Sequence, residues 1–121
     1  MIILLSEERG NRKELTVGDT FDLSHTLYVH MGDELIKTIR TKVMSSEIIM
    51  DTYVDYYCIF VYADDKGNVV GNNMCGFFGK QNNIPKEIKE AIRVSDLTLD
   101  EQINFANTCP IRSDVYAEFD E

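Results

Sequence analysis

The chain has 121 residues with 12 Lys+Arg against 21 Asp+Glu, a net charge of −9, and 44% apolar residues, enough for one hydrophobic core in a single domain over 1–121. No apolar run approaches the ~18 residues that a membrane helix needs, and 27% charged residues with ordinary apolar content excludes a disordered chain. The acidic balance argues against direct nucleic-acid binding, because phosphate contacts require a basic face.

Residues 1–5 are expected to open a β-strand. Ile2, Ile3, Leu4 and Leu5 follow no basic stretch and precede Glu7 and Glu8, a pattern unlike a secretion signal. Residues 7–14 are polar around Gly10-Asn11 and read as a turn or short loop. Val17-Gly18-Asp19 reads as a second turn between short extended pieces. From Leu23 to Met31 apolar and polar residues alternate, His25 being the exception, which predicts a half-buried strand. Gly32-Asp33 supplies a two-residue hairpin turn. In 34–44 the apolar spacing suits a helix, whereas Thr38, Thr41 and Val43 suit a strand, and the hairpin turn tips the reading to strand. Ser45-Ser46 is expected to break the chain there.

The strongest β signal lies in 53–78, which holds seven of the twelve aromatic residues. Residues 56–62 are apolar or aromatic on both faces, the pattern of a central strand. Asp64 to Asn68 carry the chemistry of a type I turn with Gly67 in the left-handed region. A return strand follows, with a bulge or an edge position expected at Gly71-Asn72-Asn73. Pairing Asp64 with Asn68 sets Cys75 opposite Tyr57 and beside Cys58.

The helical part is expected over 83–108. Asn83 is a candidate cap and Pro85 fits a first turn, while Ile84, Ile88, Ala91 and Ile92 form an amphipathic stripe ending near Val94. Thr98-Leu99-Asp100-Glu101 is a capping box that opens a second helix, with Leu99, Ile103 and Ala106 on its packing face. Pro110 closes it. Residues 111–121 read as an acidic tail or a terminal edge strand. The expected fold is α+β: an antiparallel sheet of about four to six strands from 1–80, then two short C-terminal helices packed on one face.

Chemistry-bearing residues form no constellation. His25 and His30 are five apart on one strand and point to opposite faces, so they cannot act together. Asp51 and Asp55 lie among aromatics, but solvated rim positions account for them. Cys58, Cys75 and Cys109 are odd in number without paired short spacing, which fits a reducing, cytoplasmic setting, and neither histidine sits at ligand spacing from them. No catalytic residue, cofactor or metal is therefore expected.

Surfaces carry the functional expectation instead. If both helices cover one sheet face, the second aromatic face must meet the tail, another copy or a partner. Residues 94–121 hold seven acids and one base, a net −6 in the last quarter of the chain. The expected function is a non-enzymatic acidic binding protein that inhibits or sequesters a basic protein partner. Nuclease inhibitors of the toxin-immunity or phage counter-defence type belong to this physical class. Its candidate contact residues are Tyr53, Tyr56, Tyr57, Tyr62, Asp114, Tyr116, Glu118 and Asp120. The alternative is a homo-oligomer that binds a small nucleotide-like ligand, with Phe77 and Phe78 stacking a base and Arg40, Lys42 or Lys80 holding phosphate.

Overall fold

A computed structural model of the chain describes residues 1–31, 34–71 and 74–110, with the backbone alone over 25–31 and 35–44. It is a mixed α/β structure with short helices. Strands β1 (Ile2–Leu15), β4 (Thr52–Tyr62), β5 (Met74–Phe78) and β6 (Ile92–Arg93) form a four-stranded sheet in the order β5-β4-β1-β6. Strands β2 (Thr20–Met31) and β3 (Glu34–Glu47) form a separate two-stranded ribbon. Helix α1 (Lys86–Lys89) and helix α2 (Leu99–Thr108) flank β6 in sequence.

The sheet is antiparallel except at β6, which pairs parallel to β1 through Ile3↔Ile92 and Leu4↔Arg93. That pairing corrects the expected purely antiparallel sheet. It also ends α1 early, because Ile92 satisfies its backbone on the sheet edge rather than in a further helical turn. Only Lys86–Lys89 is α-helical, preceded by a 3₁₀ turn at Gln81–Asn83. Pro85 rather than Asn83 stands at the cap position.

The two helices cover opposite faces, against the expectation that both pack on one. Leu4, Tyr56, Cys58 and Phe60 are buried against Ile84 and Ile88 of the α1 segment. On the other face Ile3, Ile59 and Val61 are buried with Leu97, Phe105 and Cys109 of the α2 segment. The change of side happens at β6: Ala91 still packs with the α1 cluster, while Ile92 and Val94 pack with the α2 cluster. Strand β4 is thus the central strand its two-sided apolar pattern predicts. Its second face, however, is covered by the chain itself.

Strand β1 is longer than its sequence suggests. Residues 7–14 are strand, not loop, and the polar stretch at Gly10 is a bulge. The register shifts between Arg9↔Tyr56 and Lys13↔Val54, with Gly10 at φ +78°. The turn at 17–19 forms as expected, with Gly18 at φ +93°. There Asp19 accepts hydrogen bonds from the Thr16 N–H and hydroxyl at 3.0 and 2.9 Å. The ribbon that follows bears out the strand reading of 34–44, since β2 and β3 pair from Thr20↔Glu47 to Met31↔Glu34. Ser45 and Ser46 continue that ladder instead of breaking it. Gly32-Asp33 lies outside the described residues. Phe21 and Leu23 root the ribbon in the α2-side core.

The turn joining β4 to β5 docks on α2. Asp64 accepts from the Lys66 and Asn68 N–H groups at 2.9 and 3.0 Å, and these bonds with the Asn68 side chain lower its pKa. Gly67 adopts φ +87°, and a Cβ there would lie 2.7 Å from the Glu101 carbonyl oxygen. Asn104 Nδ2 donates to the Lys66 carbonyl at 3.0 Å, and the Val69 N–H donates to Thr108 Oγ1 at 2.8 Å. Ala63↔Val69 keeps the expected register near the turn, but Ile59↔Cys75 shows two extra residues beyond it. Cys75 therefore faces Ile59, not Tyr57, and Cys58 faces Gly76. Cys58 belongs to the α1-side cluster and Cys75 packs on the α2-side one, so the two thiols lie on opposite faces.

The Thr98 capping box forms, with Glu101 N–H donating to Thr98 Oγ1 at 3.2 Å and Thr98 N–H to Glu101 Oε1 at 2.8 Å. The packing face of α2 differs from the expected one. Phe105 is 1% exposed, while Leu99 and Ile103 are 50% and 48% exposed. The Gly67 turn and the Leu97–Cys109 flanks fix the helix with Phe105 inward. Replacing Phe105 with Ala should therefore lower unfolding free energy by about 3–5 kcal/mol, whereas Ile103→Ala should change it by less than about 0.5 kcal/mol. Denaturant titration of the two variants checks this, and equal losses would reverse the assignment of the face.

Candidate interaction site

The least protected part of the sheet is its β5 edge. Among the described strands β5 pairs only with β4, so one side of its backbone offers unpaired N–H and C=O groups. Edge strands are ordinarily guarded by Lys, Pro or other charge. Here thirteen consecutive residues between Lys66 and Lys80 carry no charge and no proline. Val70, Met74 and Phe77 from this run are 65%, 40% and 37% exposed, and Tyr62 beside them is 41% exposed.

A hollow flanks each side of this edge. On the α1 side a groove of about 640 Å³ runs between β5 and α1, bounded by Phe60, Tyr62, Phe78, Pro85 and Ile88. On the other side a pocket of about 230 Å³ opens between β5 and the root of the ribbon, bounded by Phe21, Tyr53, Val54 and Phe77. Phe77 borders both. Its ring meets Phe21 edge-on at 4.8 Å between centroids, and Phe21 in turn meets Tyr57 edge-on at 5.3 Å.

The sequence-predicted aromatics do not form one face. Alternation along β4 sends Tyr56 to the α1 side, where it is fully buried and stacked on Phe78 at 5.7 Å. Tyr57 points to the α2 side, half-buried, with its hydroxyl donating to Glu8. Tyr53 borders the smaller pocket and Tyr62 the larger groove. The edge thus gathers Tyr53, Tyr62, Phe77 and Phe78, with Lys80 just beyond β5. Arg40 and Lys42 stand on the ribbon opposite Thr26 and Ser24, in a different sheet. Asp114, Tyr116, Glu118 and Asp120 lie outside the described residues, as does the reading of 111–121 as tail or edge strand.

Sequence reasoning missed two polar features of β1. Glu7 is a hub: its carboxylate accepts from Arg9 Nε at 2.8 Å and from the Tyr56 hydroxyl at 3.2 Å, and it pairs with Arg93. This network ties β6 to β1 and β4. Arg12 and Lys13 project from the bulge, with the Arg12 guanidinium 4.1 Å above the Tyr53 ring and the Lys13 ammonium 5.4 Å from the Phe21 centroid. No local signal marks these residues, because the pairing with β4 that aligns them is non-local.

Asp51 and Asp55 do not form an acid pair; Asp51 accepts from the Val17 N–H at 2.9 Å and fastens the turn before β2. Burial pushes the Cys58 and Cys75 thiols up, the opposite of what a thiolate nucleophile requires. No cluster of three or more metal-ligating side chains occurs among the described residues, and no described helix is long and apolar enough to cross a membrane. Comparison with known proteins finds no matching family model, curated protein or solved structure.

Burial, with the neighbouring Cys58, raises the Tyr56 phenol to about 12, and burial with the Glu8 carboxylate does the same for Tyr57. Both phenols ionise near 10.0 when unperturbed, so the folded state favours their neutral forms. The stability they confer is complete below pH 10 and disappears as the pH rises toward 12. Denaturant titrations across that window should show falling stability, with a shallower fall in Tyr56→Phe. An unchanged slope in that variant would contradict the buried placement of the phenol.

Proposed function

We propose that the chain is a non-enzymatic binding protein that sequesters or inhibits a protein partner by strand addition at β5. The observation that carries this reading is the uncharged, aromatic β5 edge, which lacks the guards that monomeric sheets place there. Strand addition uses backbone hydrogen bonds for affinity and flanking hollows for side-chain selectivity. The groove bounded by Tyr62 and Phe78 and the pocket bounded by Tyr53 and Phe77 are placed to take residues of an added strand. Tyr and Phe at such a site provide large apolar contact area at low entropic cost.

The net charge of −9 supports a basic partner, since complementary fields accelerate encounter and suppress wrong partners. Asp114, Glu118 and Asp120 are assigned to that steering. The reading belongs to the physical class of inhibitors found in toxin-immunity and counter-defence pairs. Tyr56 and Tyr57 take a supporting part, Tyr56 through the core and Tyr57 through the Phe21 ring.

Native mass spectrometry of proteins retained from extracts of the native host should identify one basic partner at defined stoichiometry. Met74→Lys places a charge on the edge at an exposed position and should weaken binding by about tenfold or more without loss of folding. Neutralising Asp114, Glu118 and Asp120 together should lower the association rate roughly tenfold and flatten its salt dependence. Binding untouched by Met74→Lys would remove β5 from the interface.

A further inference from the structure

The pocket between β5 and the ribbon root, which the proposed strand addition also uses, has a second property. Its walls are rings: Phe21, Tyr53 and Phe77 border it together with Val54. Three cations stand near its walls, none of them bordering it. Arg12 lies 4.1 Å above the Tyr53 ring, Lys13 lies 5.4 Å from the Phe21 ring, and Lys80 follows Gly79, which itself borders the pocket. Arg12 has an exposed ion pair with Glu14 at 3.6 Å, while Lys13 and Lys80 have no ion pair among the described residues. The hydroxyl-bearing side chains of Ser46 and Thr52 also border the space, and neither donates a hydrogen bond among the described residues.

We propose that this pocket binds a small ligand made of one aromatic ring bearing an anionic group. The ring enters between Tyr53 and Phe77, where offset and edge-on contacts with three aromatic walls are available. The anion remains at the mouth, where Lys13 and Lys80 meet it as charge-assisted donors. Size sets the class. A volume of about 230 Å³ holds a substituted six-membered ring, but it falls below the ~300–1,000 Å³ of ordinary drug-sized and cofactor sites. An aryl phosphate or aryl carboxylate, with its ring inside and its anion outside, fits these limits.

Phenyl phosphate titrated into the full chain, followed by heteronuclear NMR, tests the proposal. Amide shifts should concentrate at residues 52–54, 77–80 and 46, with a Kd at or below about 1 mM. Benzyl alcohol, which has the ring without the charge, should bind at least about fivefold more weakly, and inorganic phosphate should leave those amides unmoved. The exposed substitution Lys80→Gln should weaken phenyl phosphate by about threefold to tenfold while leaving benzyl alcohol unchanged. Phe77→Ala should weaken both ligands, and circular dichroism establishes that this variant is folded. Equal affinity for phenyl phosphate and benzyl alcohol would overturn the proposal, as would shifts caused by inorganic phosphate alone or no saturable binding up to 10-fold above about 1 mM. Strand addition, which shares this pocket, is tested separately by Met74→Lys on the exposed edge.

Discussion

Everything in this structure follows from the requirement that β4 be dry on both faces. Tyr56, Cys58, Ile59, Phe60 and Val61 are all buried; Tyr56, Cys58 and Phe60 point to one side, and Ile59 and Val61 to the other. A strand of that kind needs two covering layers. Among the described residues, a four-residue and a ten-residue α-helix with two short 3₁₀ turns are available to build them. The chain solves this by routing the segment between the helices around the far edge of the sheet as β6. Ile84 and Ile88 are then left on one face, and Phe105 and Cys109 on the other. The parallel pairing of β6 with β1 is what that passage requires. The Glu7 carboxylate secures it by joining Arg93 to Arg9 and Tyr56.

The same economy explains where the sheet stays open. At the other edge, β6 covers Ile3 and Leu4 of β1 and is held there by the Arg93–Glu7 pair. No corresponding element stands over β5 among the described residues, and no charge guards it. The rings of Phe21, Tyr57 and Phe77 form a chain of edge-on contacts from the ribbon root to β5. An event at the β5 edge is therefore in direct packing contact with the base of the ribbon. The exposed Leu99 and Ile103 on α2 are a lesser apolar feature, set on the outer side of a helix whose inner side is fixed by Phe105.

Local chemistry in the sequence was enough to place the features that local chemistry controls. The Thr98 capping box, the Gly18 and Gly67 turns and the two-sided pattern of β4 can each be read from a few adjacent residues. The 34–44 strand followed from its turn, because helical and strand spacing were balanced there and the hairpin decided between them. Non-local pairing produced the departures. Gly10-Asn11 resembles a loop until β4 aligns beside it, whereupon the same residues become a bulge. The stripe of Ile84, Ile88, Ala91 and Ile92 resembles one helix face until Ile92 pairs with Ile3. For the interaction site, the aromatic concentration in 53–78 pointed to the right strands. Strand alternation then divided those rings between two faces and left the edge, not a face, as the accessible surface. The uncharged run between Lys66 and Lys80 was the sequence signal for that edge.

Residue-resolved amide hydrogen exchange on the free protein tests this account most directly. Amides of β4 from Tyr56 to Phe60 are predicted to be uniformly slow, because that stretch is paired on both sides and covered on both faces. In β5 slow and fast amides should alternate: those bonded to β4 protected, and those turned outward exchanging near the rate of open chain. Uniformly slow exchange along β5 would contradict the account, since it would mean that the edge is already occupied in the free protein.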